Sequence, residues 1–321
     1  MKKFLAFVLL IVMVFSLCAC GQTGDNNSDQ AASEKGFRVG YARCDITPEE
    51  AVPLGGFGNC DKRLSTSILR RLYVSCIAIT DEQDYTVLLF SCDFINPYQQ
   101  LMNARPIISQ STGVPEHQIL INSSHTHAGP DVGSTSFESI QRWIALVNEQ
   151  LVRAGTDAMA DRKAANMSYG SIETENLNFI KHYKHVDADG SVKFFGDNFG
   201  TQVLDETTEH TTQIDQTMFM LKFEREGGKD VVFASWRAHP LLDGSSSRTE
   251  LSSDYPGAFR EAMELQLDCH FSFFQGAAGN NNSSSRLAKE VRTKDTAEYG
   301  ALLAGYAIDC LNNNMTKVEK S

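Results

Sequence analysis

From Phe37 onward, short runs rich in β-branched and aromatic residues alternate with longer stretches whose apolar residues follow helical spacing. Strands are predicted at residues 38–45, 72–79, 86–94, 118–124, 217–223, 231–238 and 270–274. Helices are predicted at residues 97–111, 137–160, 255–267 and 286–311. Because helix and strand alternate without a linker-like break, we expect an α/β protein of one domain. Its core is a layered mixed β-sheet with helices outside.

The first residues have the organisation of a bacterial export signal. Lys2 and Lys3 precede an apolar run, and the segment Leu-Cys-Ala-Cys ending at Cys20 resembles a lipoprotein lipobox. The apolar run is shorter than the ~20 residues that a membrane-spanning helix needs. We therefore expect residues 1–19 to be a signal peptide and residues 20–35 a flexible polar tether. Cys20 would be lipidated, anchoring the exported protein to the outer face of the bacterial cell membrane.

Charge and cysteine spacing exclude two classes of function. The formal net charge of −11 argues against a nucleic-acid partner. The cysteines beyond Cys20 form no Cys-x-x-Cys pair, which argues against a zinc knuckle. The amino-acid composition does not indicate an oligomeric state.

Histidines follow two of the predicted strands. Alternate residues of an extended chain face one side, so His125 and His127 are expected to present both imidazoles to one cavity. A second strand delivers His239 just before Pro240, at a strand end where α/β sheets build sites. Neutral imidazole suits Zn²⁺, which makes His239 a candidate partner of His125 in a zinc pair. Polar histidines satisfied within the fold are the alternative.

Small residues follow the last predicted strand, in the segment Gln-Gly-Ala-Ala-Gly-Asn at residues 275–280. Such residues let backbone amides approach a ligand closely, and a following helix adds a positive N-terminus. This arrangement could stabilise an oxyanion. A plain connection between strand and helix has the same sequence features.

Five ordered segments resemble the neutral/alkaline non-lysosomal ceramidases. They are VGYARCDITP with PLGGFG, SHTHAGP, the AHP strand end, SDYPG and QGAAGN. The resemblance covers residues 37–311 and implies a ceramidase-like N-terminal domain over residues 36–321. It implies a zinc-dependent hydrolase that cleaves an amide (N-acyl) bond in a lipid or other small molecule.

The resemblance also implies roles for individual residues. His125 and His239 would bind Zn²⁺, and His127 would orient water or the oxyanion. A nearby carboxylate would act as general base, and Asp93 and Asp254 are the candidates.

Three features depart from the family pattern. Family members carry an active-site serine where this chain has Gly276, and Lys181 stands where an arginine contacts substrate. Lysine keeps the charge but loses the bidentate fork. The family supplies a further Glu and Tyr as zinc ligands, and no position here matches them. Either His127, a local carboxylate or another chain completes the site, or zinc binds poorly.

Three hypotheses follow from the sequence. The first is a cell-surface zinc hydrolase, and the second is a catalytically degenerate or truncated family member that acts as a surface binding lipoprotein. A structural envelope lipoprotein is the third.

Overall fold

The computed structural model describes residues 36–196, 208–210, 214–283 and 295–319. The predicted signal peptide, tether and Cys20 anchor lie outside these residues. The strands are β1 (Phe37–Asp45), β2 (Ser67–Ile68), β3 (Tyr73–Thr80), β4 (Thr86–Cys92), β5 (Ile119–Ser123), β6 (Lys163–Glu173), β7 (Asn178–Ile180), β8 (His182–Val186), β9 (Val192–Gly196), β10 (Thr208–His210), β11 (Thr217–Arg225), β12 (Asp230–Trp236), β13 (Glu250–Leu251), β14 (Cys269–Gln275), β15 (Asn281–Ser283) and β16 (Met315–Lys317). The helices are α1 (Gln99–Met102), α2 (Ala104–Thr112), α3 (Glu138–Ala160), α4 (Asp254–Gln266) and α5 (Thr296–Asn313).

A nine-stranded mixed sheet forms the centre of the protein. Its strand order is β14-β12-β11-β6-β1-β3-β4-β5, and β16 also pairs with β6. The β4–β5 and β12–β14 pairs are parallel, and the other pairs of this sheet are antiparallel. Strand β1 pairs with β3 from Arg38 to Asp45 but with β6 only over Phe37 to Val39. The two halves of the sheet are therefore joined through a short contact.

The sheet doubles back so that its two halves face each other. Strand β14, at one end of the order, contacts strands near the other end. The hydroxyl of Ser91 donates to the carbonyl of Phe273 at 2.6 Å. The Asn122 side chain bonds both backbone groups of Gln275, at 2.9 and 3.1 Å. Apolar residues fill the space between the halves, namely Val39, Tyr41, Ile77, Ala165, Phe223, Val231 and Phe233.

Helices cover the two outer faces, which makes four layers in the order α/β/β/α. Successive residues of a strand point to opposite faces of the sheet, so alternate side chains pack either against the helices or between the two halves of the sheet. In β3, Cys76 packs in the core beneath α2 and α3, whereas Ile77 packs between the half-sheets. In β12, Ala234 lies in the core beneath α4 and α5, whereas Phe233 packs between the half-sheets.

The predicted α/β class, with one domain and a mixed sheet inside helices, is confirmed. All the predicted strands form, with ends shifted by at most a few residues. Strand β6 was not predicted because its small and polar residues alternate weakly; pairing with β11 along its length holds it in place. The predicted helix 97–111 is two helices, α1 and α2. Among the described residues, no helix is long and apolar enough to cross a bilayer.

Candidate metal centre

Three histidines from distant parts of the chain meet beside the ends of β5 and β12. One ring nitrogen from each of His125, His127 and His239 lies within 4.8 Å of the other two. The Nε2 atoms of His125 and His239 are 3.1 Å apart. Two nitrogens bound to one tetrahedral Zn²⁺ at the usual bond length lie about 3.3 Å apart. The spacing of this pair therefore suits one shared ion.

Backbone carbonyls decide which nitrogen of each ring faces the centre. Nδ1 of His125 lies 2.6 Å from the carbonyl of Ile95, and Nδ1 of His239 lies 2.7 Å from that of Ala278. A carbonyl can only accept, so each Nδ1 carries the ring proton and donates it. Each neutral Nε2 is then left with a lone pair directed at the other. Metal-binding histidines are usually oriented in this way.

His127 is the third member of the cluster and differs from the other two. Its side chain is 9% exposed, and among the described residues neither ring nitrogen makes a hydrogen bond of good geometry, although the Gly56 backbone lies close to the ring. Burial, followed by the nearby His125 and His239, lowers the pKa of His127 to about 3. Burial also lowers the pKa values of His125 and His239. Three neutral imidazoles, one with unpaired buried nitrogens, fit a divalent zinc ion well.

A turn, rather than an extended strand, brings His125 and His127 together. The expectation of strand geometry is wrong, because β5 ends at Ser123 and His125 has a left-handed φ of 65°. Glycines make room for His127: a Cβ on Gly56 would lie 2.5 Å from its Nδ1, and one on Gly244 would lie 3.0 Å from its Cβ. The PLGGFG segment thus packs directly against the cluster.

His239 is held by two neighbouring segments. Its amide donates to the carbonyl of Asn281 at 2.7 Å, and the Ser283 hydroxyl donates to its carbonyl at 2.8 Å. The preceding carbonyl, of Ala238, accepts from the Tyr255 hydroxyl at 2.7 Å. The SDYPG segment and the chain after QGAAGN therefore fix the position of the histidine.

A cleft of about 280 Å³ opens beside the cluster. It is lined by Asn122, Ser123, His125, His239, Gln275, Gly276, Ala278 and Gly279. The amide of Gly276 donates to the carbonyl of Trp236 at 2.8 Å, so this amide is not free to bind an oxyanion. A Cβ at Gly276 would lie 3.2 Å from Cβ of Arg237, which leaves little room for a serine.

No protein family model matches the chain, and no curated protein matches it. The neutral ceramidase from Pseudomonas aeruginosa is similar in structure, with a TM-score of 0.69 and 17% identity over 89% of this chain and 46% of that one. A ceramidase complexed with C2 is also similar, with a TM-score of 0.69 and 18% identity over 89% of this chain and 45% of that one. The chain therefore shares the fold of the matching part of these ceramidases. It spans about half the length of these ceramidases.

Lys181 lies close enough to His239 for its charge to act on that histidine. Its amide donates to the carbonyl of Asn280 at 3.0 Å, directly after β7 pairs with β15. Its positive charge contributes to the lowered pKa of His239. A catalytic or substrate-binding role for Lys181 stays a prediction.

The two candidate carboxylates bond to other parts of the domain. Asp254 is fully buried, and its carboxylate accepts the amides of Asp243 at 2.8 Å and Tyr255 at 2.6 Å. Burial and the neighbouring Asp243 raise the pKa of Asp254 to about 7. These bonds hold the turn that places Gly244 against His127. Asp93 forms a buried ion pair with Arg260 at 3.0 Å.

Two kinds of contributor were not predicted from the sequence. The carbonyls of Ile95 and Ala278 orient the histidine rings, and Gly244 and Arg63 pack around His127. Backbone carbonyls carry no sequence signal. The glycine-rich PLGGFG segment was recognised in the sequence as part of the family resemblance, but its contact with His127 depends on the fold.

Proposed function

We propose that this chain is a cell-surface zinc-dependent hydrolase that cleaves an amide (N-acyl) bond, with N-acylated lipids as the substrate class. The observation that carries the proposal is the pair of Nε2 atoms of His125 and His239, 3.1 Å apart and both oriented by carbonyls. The similarity in fold to neutral ceramidases supports the choice of reaction. The lipid anchor at Cys20 would place the enzyme beside membrane substrates.

His125 and His239 would hold Zn²⁺ through Nε2, and His127 offers a third nitrogen. Three protein ligands are usual for catalytic zinc. When bound, the ion supplies a nucleophile from water at neutral pH and polarises an acyl carbonyl. His127 is neutral, so beyond binding the ion it can accept a hydrogen bond from water. Lys181 adds positive charge where an acyl oxygen gains negative charge.

The test uses the exported chain without its signal peptide, loaded with one equivalent of Zn²⁺. Release of fatty acid from a short-chain N-acylsphingosine is measured with and without a chelator. We expect hydrolysis that the chelator abolishes, that Zn²⁺ restores and that His125→Ala lacks. Chelator-resistant hydrolysis, retained by His125→Ala, would contradict the proposal.

A second candidate, a surface lipoprotein that binds its ligand without turnover, is favoured by Gly276. This position lines the cleft but offers no hydroxyl, and its amide is already bonded. The binding module would retain an N-acylsphingosine without cleaving it. Any turnover that disappears in His125→Ala would exclude this candidate.

A further inference from the structure

Arg63 is a buried cation that bonds to backbone carbonyls rather than to a carboxylate. Its side chain is buried, with 2% of the residue exposed. The guanidinium donates to the carbonyls of Gly55 at 2.9 Å, His127 at 3.2 Å and Arg248 at 3.2 Å. Among the described residues, no carboxylate lies within ion-pair distance of it.

This arrangement contrasts with the other buried arginines. Arg225 and Arg260 have similar exposure, and they pair with Asp161 and Asp93 respectively. Burying a cation without a counter-charge is unfavourable, and burial accordingly lowers the pKa of the Arg63 guanidinium. Arginine nevertheless remains charged at neutral pH. The groups that Arg63 contacts indicate a structural role for this residue.

The three carbonyls belong to the segments that surround His127. Gly55 precedes Gly56, which packs on the His127 ring, and Arg248 lies in the loop that begins with Gly244. Phe57 completes the packing: its ring lies 4.9 Å from the Arg63 guanidinium and 5.3 Å, edge to face, from the His127 ring. One side chain therefore connects His127 to two of the segments that pack against its imidazole, the one around Gly55 and the one around Arg248.

His127 needs such support more than the other two histidines. The rings of His125 and His239 are each fixed by a short hydrogen bond to a carbonyl, whereas the ring of His127 has only a weaker contact with the Gly56 backbone. We propose that Arg63 is the positioning residue for His127, acting through the three carbonyls and Phe57. This inference rests on the proposed function for what His127 would do there, whereas the contacts that surround His127 are observed independently of that function.

The test measures how accessible His127 is in the metal-free protein. The rate at which diethylpyrocarbonate modifies His127 is followed by tandem mass spectrometry in wild type, Arg63→Met, Arg63→Lys and Arg225→Met. We expect Arg63→Met to raise the rate about tenfold, the effect of a modest gain in local opening. Arg63→Lys should raise it similarly, since one ammonium cannot replace the planar fork. Arg225→Met also removes a buried arginine but should leave the His127 rate unchanged.

A rate equal to wild type in folded Arg63→Met would overturn the inference. Protection fully retained by Arg63→Lys would overturn it too, because charge alone would then suffice. If Arg63→Met does not fold, Phe57→Leu decides, since it keeps the guanidinium and removes only the ring between Arg63 and His127. A smaller rise in the His127 rate is expected there, and no rise would count against the inference.

The visible spectrum of bound Co²⁺ provides a second readout. We expect the Arg63 variants to bind Co²⁺ about 10-fold to 100-fold more weakly, with altered absorption, as for other residues that orient ligands. Arg225→Met should give the wild-type spectrum. Absence of Co²⁺ and Zn²⁺ binding in wild type would refute the proposed function, while the modification rates would still decide the role of Arg63.

Discussion

His125 and His239 lie 114 positions apart in the chain, and their Nε2 atoms are 3.1 Å apart in the fold. Each ring is turned to this position by a carbonyl that accepts its Nδ1 proton. The two lone pairs therefore point toward one position between the rings. Such preorganisation favours metal binding, because the ligands lose little freedom when the ion arrives.

Alanine substitution of each of the three histidines should weaken Zn²⁺ binding. We expect His125→Ala and His239→Ala to weaken Zn²⁺ binding at least about 100-fold, because each removes an oriented nitrogen. His127→Ala should also weaken it, with the fold retained. Competition with a chromophoric chelator measures the affinity. His117→Ala, in an exposed turn, is the matched control, and an equal loss there would count against the assignment.

Gly56→Ala should disturb the metal centre beyond the strain that alanine introduces. Gly56 and Gly58 both have positive φ, of 104° and 67°. Alanine at either position should cost about 1 kcal/mol. Only at Gly56 would the Cβ meet the His127 ring, whereas nothing lies within 4 Å of a Cβ at Gly58. We therefore expect Zn²⁺ affinity to fall in Gly56→Ala and to stay at wild type in Gly58→Ala. Equal affinities would contradict this contact.

Asp93→Asn should destabilise the fold without affecting the metal centre. Asp93 is buried and pairs with Arg260 at 3.0 Å, and burial raises the pKa of this carboxyl despite the arginine. Removing one partner of a buried ion pair typically costs about 3–5 kcal/mol. Urea unfolding should report this loss, with Zn²⁺ affinity unchanged. Adding Arg260→Met should recover part of the stability. A large loss of hydrolysis at unchanged stability would instead favour the general-base role.

Asp161 should make the fold sensitive to acid. Burial raises its pKa, but hydrogen bonds from Lys163, the Tyr41 amide and Arg225 outweigh burial and bring the pKa to about 2. The unfolded value is about 3.9, so the folded state favours the carboxylate. Its stabilisation is present above about pH 4 and is lost as the pH falls through about 2.

Asp161→Asn tests this dependence by urea unfolding across the acid range. At neutral pH we expect the variant to be less stable than wild type by about 1 kcal/mol, allowing for solvent screening of this partly exposed group. The difference should shrink as the pH falls from about 4 toward 2. Asp157→Asn, which breaks an exposed helical pair with Arg153, is the control. A difference that stays constant with pH would show that ionisation is not the cause.

Local patterns were sufficient to predict seven of the nine strands of the central sheet and the long helices. The short apolar runs of β3 and β12 and the helical spacing in α3 depend on neighbouring residues alone, and these elements were predicted nearly to their ends. Strand β6 was missed because its stability comes from pairing with β11 rather than from its own residues. The doubling of the sheet was also not predicted, since contacts such as that of Ser91 with Phe273 join distant strands.

The sequence by itself determined the α/β layering, the histidines as candidate zinc ligands and the similarity to ceramidases. Only the tertiary structure decided how His125, His127 and His239 meet, which nitrogens face the centre and that Arg63 confines His127. The physical reason is the distance along the chain between the residues that interact. Periodicity reflects the few bonds between neighbouring residues, whereas ring orientation and confinement depend on carbonyls and side chains that packing brings from far along the chain.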